Sequence, residues 1–163
     1  MRSFVFFLLM CLLSTPSFAA GLGYDWNGNG IWDDVDNYIE RIHPEDGDEK
    51  RATLQMVKGL QSLVVDSYSH AETIRNGEQL MRSLECSFYC NQMKAQQIYQ
   101  ALKMAMLNNE ERGQKYLEAE NRLAGQMFEI GEDPDMWREG CDFSPEYRTV
   151  KQKKPPEGGY DGR

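Results

Sequence analysis

Histidine is almost missing from this 163-residue chain and cysteine is sparse, with two of the first and four of the second. His43 and His70 lie far apart in sequence, and neither has a second ligand at a helical metal spacing, which argues against a histidine-built zinc centre. A structural or solvent-facing role is expected for each. The chain also lacks G-x-S-x-G, a Walker loop and H-E-x-x-H. Gly28-Asn29-Gly30-Ile31-Trp32-Asp33 fails as a dinucleotide fingerprint, because Asp33 stands where a third glycine is required. No hydrophobic run reaches the roughly 20 residues that span a bilayer. No alternating segments bounded by hairpin turns suggest strands, and the helical pattern does not repeat internally. Positive charge is short as well: 18 Lys and Arg against 26 Asp and Glu give a net charge of −8. Such a surface repels nucleic acid and anionic lipid and attracts cations. Glu110, Glu111, Glu118 and Glu120 supply carboxylates, but glutamates on exposed helix faces serve solubility by default. A non-enzymatic role is therefore expected, with a hydrolase using acidic residues as the weakest alternative.

The first nineteen residues have the layout of an export signal: Arg2, an apolar run over residues 4–13, the helix-breaking Pro16, and the small residues Ser17 and Ala19 before cleavage. Cys11 follows Met10, where a lipoprotein signal needs a small residue, so no stable membrane anchor is expected. Removing nineteen of 163 residues leaves 144, the size of one domain. The loss of Arg2 leaves 17 basic against 26 acidic residues, a net charge of about −9. An exported chain meets oxidising conditions, which suits one bridge among Cys86, Cys90 and Cys141. Cys86 and Cys90 are four apart, so on a helix they share a face but are poorly placed to bond each other. A bridge from either one to Cys141 is expected, with Cys90 favoured over Cys86 because it lies nearer the helix end. Without C-x-x-C or further thiolate and imidazole ligands, these cysteines are structural.

The remaining pattern is helical. Asp33 or Asp34 can cap a helix carrying Val35, Tyr38, Ile39 and Ile42, stopped by His43-Pro44. Asp46 with Glu49 forms a capping-box arrangement for the next helix, whose buried stripe is Leu54, Val57, Leu60, Val64 and Tyr68. Ser69 with Glu72 offers a restart and Asn76-Gly77 a second break, so one bent helix and two separate helices both remain open. Ile74, Met81, Leu84 and Phe88 carry the spacing on to a turn at Cys90-Asn91. Ala95, Ile98, Leu102, Ala105 and Met106 mark another helix. Asn108 with Glu111 can cap the next, whose face is Tyr116, Leu117, Leu123, Ala124, Met127 and Phe128 and which ends at Gly131-Glu132-Asp133-Pro134. The methionines are spread through several helices and fit core filling, with Met81, Met106 and Met127 on apolar stripes. Residues 135–150 should form a loop packed on the body and tied by Cys141, and residues 151–163 should be disordered. The expected architecture is all-α: an antiparallel bundle of four to five helices within a single domain over residues 20–150.

The sharpest chemical signal is at residues 25–36. Side-chain oxygens stand at the first, third, fifth, ninth and twelfth places as Asp25, Asn27, Asn29, Asp33 and Asp36, with Gly30 at the sixth. A hard divalent cation takes six to eight oxygens, so the chain must curl round it and offer a donor at nearly every second residue. The carbonyl of Ile31 can supply one more, and Asp33 can act directly or through water. Asp36 closes the set from the first turn of the following helix, where the dipole also favours a carboxylate. An Asp in this last place reaches less far than the usual Glu, so affinity for Ca2+ should be weak, roughly 10⁻⁴ to 10⁻³ M or somewhat tighter.

This string resembles the calcium loops of thrombospondin type 3 repeats and is similar to EF-hand and dockerin loops. Ile31 at the seventh place matches the thrombospondin pattern better, because an EF-hand has its aliphatic residue at the eighth, where Trp32 stands. Followed by Asp34-Val35 and Tyr38-Ile39, the string also looks like the opening of small exported bacterial helical proteins. The resemblance covers about 20 residues and implies calcium binding. The expected protein is exported to the periplasm or beyond. Calcium braces its N-terminal loop, and its bundle meets an unknown protein partner. A structural accessory of an envelope assembly is the alternative.

Overall fold

In the computed structural model, residues 21–146 are described. The expected signal segment and the expected disordered tail lie outside the described residues. Within them the chain is all-helical, with no strand. Helix α1 is Asp33–Ile42, α2 Asp48–Val65, α3 His70–Asn91, α4 Ala95–Met106, α5 Glu110–Arg122 and α6 Pro134–Glu139, and a 3₁₀ turn, Gln92–Lys94, joins α3 to α4. None of these helices is long and apolar enough to cross a membrane.

The centre is the α2–α3 hairpin, and its antiparallel sense is legible from its contacts. Asn91 reaches the Glu49 carbonyl, Leu80 and Ser83 lie against Gly59, and Asn76 reaches the carbonyls of Ser62 and Asp66. A methyl group at Gly59 would meet the Leu80 backbone at 3.1 Å, so glycine sets how closely the pair approach. Met56, Val57, Leu60, Leu63, Val64, Leu80 and Leu84 form the core of this hairpin, joined by Val35 and Ile39 of α1, Leu102 and Met106 of α4, and Tyr116 and Ala119 of α5. The C-terminal segment packs on the other side, where Cys86, Tyr89 and Ala52 meet Trp137, Cys141 and Phe143.

The two-helix reading is the one realised. Ser69 caps α3, accepting from the Glu72 N–H at 3.2 Å, and residues 66–69 form the link. Asn76-Gly77 is no break, because the Asn76 amide satisfies carbonyls at the C-terminal end of α2. Gly77 instead makes room for the Phe128 ring, which an added methyl would meet at 2.7 Å.

Several local expectations are corrected. The Asp46 capping box does not form: Gly47 precedes α2 without a side-chain cap, and Asp46 pairs with Lys50 instead. Asn109 rather than Asn108 caps α5, accepting from the Arg112 N–H at 2.9 Å. That helix stops at Arg122, and the turn after it contains Gly125 at φ +86°, so Met127 lies outside any helix and is exposed rather than core. Tyr68, in the α2–α3 link, and Leu117 are exposed as well, while Met56 and Met106 do fill the core. A short helix, α6, stands where a loop is expected. Pro134 opens it, and the Asp133 carboxylate accepts from the Asp135 N–H at 3.0 Å.

The favoured Cys90–Cys141 bridge is also corrected: the disulfide joins Cys86 to Cys141. Gln55 explains the placement, since it clamps the segment against the middle of the hairpin. Its amide donates to the Gly140 carbonyl at 2.7 Å and its oxygen accepts from the Asp142 N–H at 3.1 Å. Gly140 sits directly against the backbone of Arg82 and Cys86, one turn before the helix end. Asp48, buried, holds the segment further on by accepting from the Glu146 N–H at 2.7 Å.

Candidate functional site

The loop over residues 25–36 is wound around its own carboxylates. Asp25 accepts from the backbone N–H groups of Asn29 at 3.1 Å and Gly30 at 2.8 Å, one on each carboxylate oxygen. Asn27 Oδ1 accepts from the Asn29 N–H at 3.0 Å and Asn29 Oδ1 from the Ile31 N–H at 2.9 Å, two successive Asx turns. Gly28 at φ +69° and Gly30 at φ +83° take left-handed conformations that other residues adopt at a cost, and these reverse the chain. The Nδ2 groups of Asn27 and Asn29 both donate to Asp36 Oδ2, at 3.0 and 3.1 Å. Both oxygens of Asp33 lie within reach of the Trp26 N–H, at 3.2 and 3.3 Å.

The five side chains singled out by spacing therefore lie on the loop over residues 25–32 and on the first turn of α1. Asp25, Asn27, Asn29 and Asp36 are linked by hydrogen bonds, while Asp33 faces the Trp26 backbone. Ile31 places its side chain in the core, 1% exposed. Among the described residues, the Asp25, Asp33 and Asp36 carboxylates are not drawn into one group within 4.8 Å; the three cysteines are. The donor set nevertheless fits a hard cation: three carboxylates and two side-chain amides, all oxygen-bearing, on a loop whose inward hydrogen bonds fix its curl.

The next residues seat the loop on the body. Ile31 and Trp32 are buried in the core, contributing about 1.5–3 kcal/mol each by burial. Gln61 of α2 reaches over and holds the loop backbone twice, accepting from the Trp32 N–H at 3.2 Å and donating to the Gly30 carbonyl at 3.0 Å. The sixth-place glycine is thus attached directly to the central hairpin.

Arg112, which spacing alone does not reveal, completes the seat. It stands in the first turn of α5, is 2% exposed, and lies 3.9 Å over the Trp32 ring. Its guanidinium makes a two-pronged pair with Asp34, at 2.8 and 2.9 Å, and donates to the Met106 carbonyl, the Asn108 side chain and the Leu22 carbonyl. Burial raises the Asp34 pKa, but hydrogen bonds from Arg112 and Asn108 with the Arg112 charge outweigh it, leaving the carboxyl below its usual range. Gly23 lets the N-terminal segment pass: a methyl there would strike the Arg112 guanidinium and meet the Trp32 ring at 2.8 Å. A positive charge in the first turn opposes the helix dipole. That misfit is the signal in the sequence that could have singled Arg112 out.

The histidines have structural partners. His70 Nδ1 lies 2.8 Å from the Arg122 carbonyl at the end of α5. His43 Nε2 lies 3.0 Å from the Thr53 hydroxyl, whose own proton goes to the Glu49 carbonyl at 2.8 Å. Thr53 must then accept, so the neutral ring carries its proton on Nε2. Burial lowers the His43 pKa first; Glu49 opposes this, and Lys50 and Lys94 add to it. His43 lines a groove of about 730 Å³ together with Glu49, Asn91, Gln92 and Cys90.

Compared with protein-family models, with curated proteins and with solved structures, the chain matches none.

Proposed function

We propose that this is an exported, non-enzymatic calcium-binding protein, in which the cation braces the N-terminal loop against a helical bundle that meets another protein. The observation that carries the reading is that the Asn27 and Asn29 side chains both reach Asp36 across a loop curled by backbone hydrogen bonds to Asp25. The side chains of these four and of Asp33, with the Ile31 carbonyl, would hold the ion, as the resemblance to thrombospondin type 3 loops implies. Calcium would supply charge there and no chemistry. The Gln61 and Arg112 contacts transmit the order of the loop to α2 and α5. The disulfide fits an oxidising compartment and so supports export. Tyr24 and Trp26, stacked at 5.8 Å and exposed on the loop, are the aromatic surface through which a protein partner would be met.

Calorimetric titration of the full chain with calcium tests the reading. One site with a dissociation constant of about 10⁻⁴ to 10⁻³ M is expected, lost in Asp25→Ala and Asp36→Ala while both variants stay folded. No heat of binding in the wild type, or binding retained in both variants, overturns it.

A further inference from the structure

The loop chemistry leaves the cysteines untouched. Among the described residues, Cys86, Cys90 and Cys141 are the one group of three potential ligand atoms lying within 4.8 Å of one another, and the disulfide within it joins Cys86 to Cys141. Cys90 is one turn along the same face of α3, 2% exposed, and lines the groove beside His43. Its sulfur lies within 4.8 Å of both bridge sulfurs, and the segment that carries Cys141 is held by side-chain hydrogen bonds and not by a long helix.

We propose that the three sulfurs form an internal thiol–disulfide exchange centre, in which the bond to Cys141 passes between Cys86 and Cys90. The Cys90 thiolate attacks Cys141 Sγ; a Cys90–Cys141 bond forms as the Cys86–Cys141 bond breaks. The electron pair departs on Cys86 Sγ, which takes up the proton that Cys90 gave away. Nothing is oxidised or reduced overall, so no outside reagent is needed. The transfer moves the anchor of the C-terminal segment by four residues, about 6 Å along the α3 axis. It draws that segment towards the groove and pulls against the two hydrogen bonds of Gln55.

The test traps the thiol. Folded full-length protein is quenched in acid, which freezes exchange, then denatured and alkylated, and each cysteine is mapped by mass spectrometry without reduction. Label divided between Cys90 and Cys86, with both Cys86–Cys141 and Cys90–Cys141 peptides present, is the expected result. Label confined to Cys90 in the wild type overturns the proposal. Cys86→Ser gives a second measurement: the folded variant should close Cys90–Cys141 in air, and a folded variant that keeps two thiols argues against exchange. If that variant does not fold, the wild-type map decides.

Discussion

Arg112 shows how one side chain can join three elements. It pairs with α1 through Asp34, closes the end of α4 through the Met106 carbonyl and holds the segment before α1 through Leu22. Replacing it by Met keeps most of the stem's packing but removes these bonds. Asp34 is left half exposed and so regains water, which keeps the cost below that of a fully buried orphan. Arg112→Met is expected to lower unfolding free energy by about 2 kcal/mol, read from urea denaturation. His43 gives the pH prediction. Its folded pKa lies below the unfolded value of 6.5, so the unfolded chain binds the proton first as pH falls. The stability it contributes is present above pH 6.5 and is lost as pH drops through the folded value. Stability followed from pH 7.5 to 5 should therefore fall less steeply in His43→Gln than in the wild type. An unchanged slope would place the titration elsewhere.

At the scale of elements, the helices were largely legible and their ends were not. Three-four spacing located Val35 with Ile39, Leu60 with Val64 and Leu102 with Met106, because core-facing stripes repeat with the helix. Asn76-Gly77 misled because an Asn-Gly pair breaks a helix only where its backbone is unsupported, and here its amide serves a neighbouring helix. Met127 misled because periodicity cannot see a left-handed glycine two residues before it. The loop's candidate ligands were named from spacing, since such loops are local in sequence. Gln61, 31 residues from Gly30, could not be, because long-range side-chain contacts leave no periodic trace. Gln61→Ala removes two hydrogen bonds to the loop backbone and should cost about 1–2 kcal/mol in urea denaturation. If the loop and hairpin act together, the same change should also weaken calcium binding in calorimetry. Affinity unchanged alongside lowered stability would mean that the loop orders independently of α2.

The whole molecule is tied at both ends of its described length. The Cys86–Cys141 bridge spans 55 residues, and constraint of the unfolded chain by a loop of that size is worth about 4 kcal/mol. Cysteine spacing predicts that Cys141 returns to α3, as the disulfide does. The choice between Cys86 and Cys90 turned on Gln55 and Gly140, contacts that no local pattern encodes. At the other end, Ile31, Trp32, Gln61 and Arg112 attach the loop to the core, so any ion that orders the loop must stabilise the entire fold. Thermal melting of the full chain in 10 mM calcium against excess chelator measures this coupling. With a dissociation constant of about 10⁻⁴ to 10⁻³ M, stabilisation should be about 1.4–2.7 kcal/mol, a rise in midpoint of about 4–10 °C. Midpoints that coincide in calcium and chelator would contradict a calcium-braced loop.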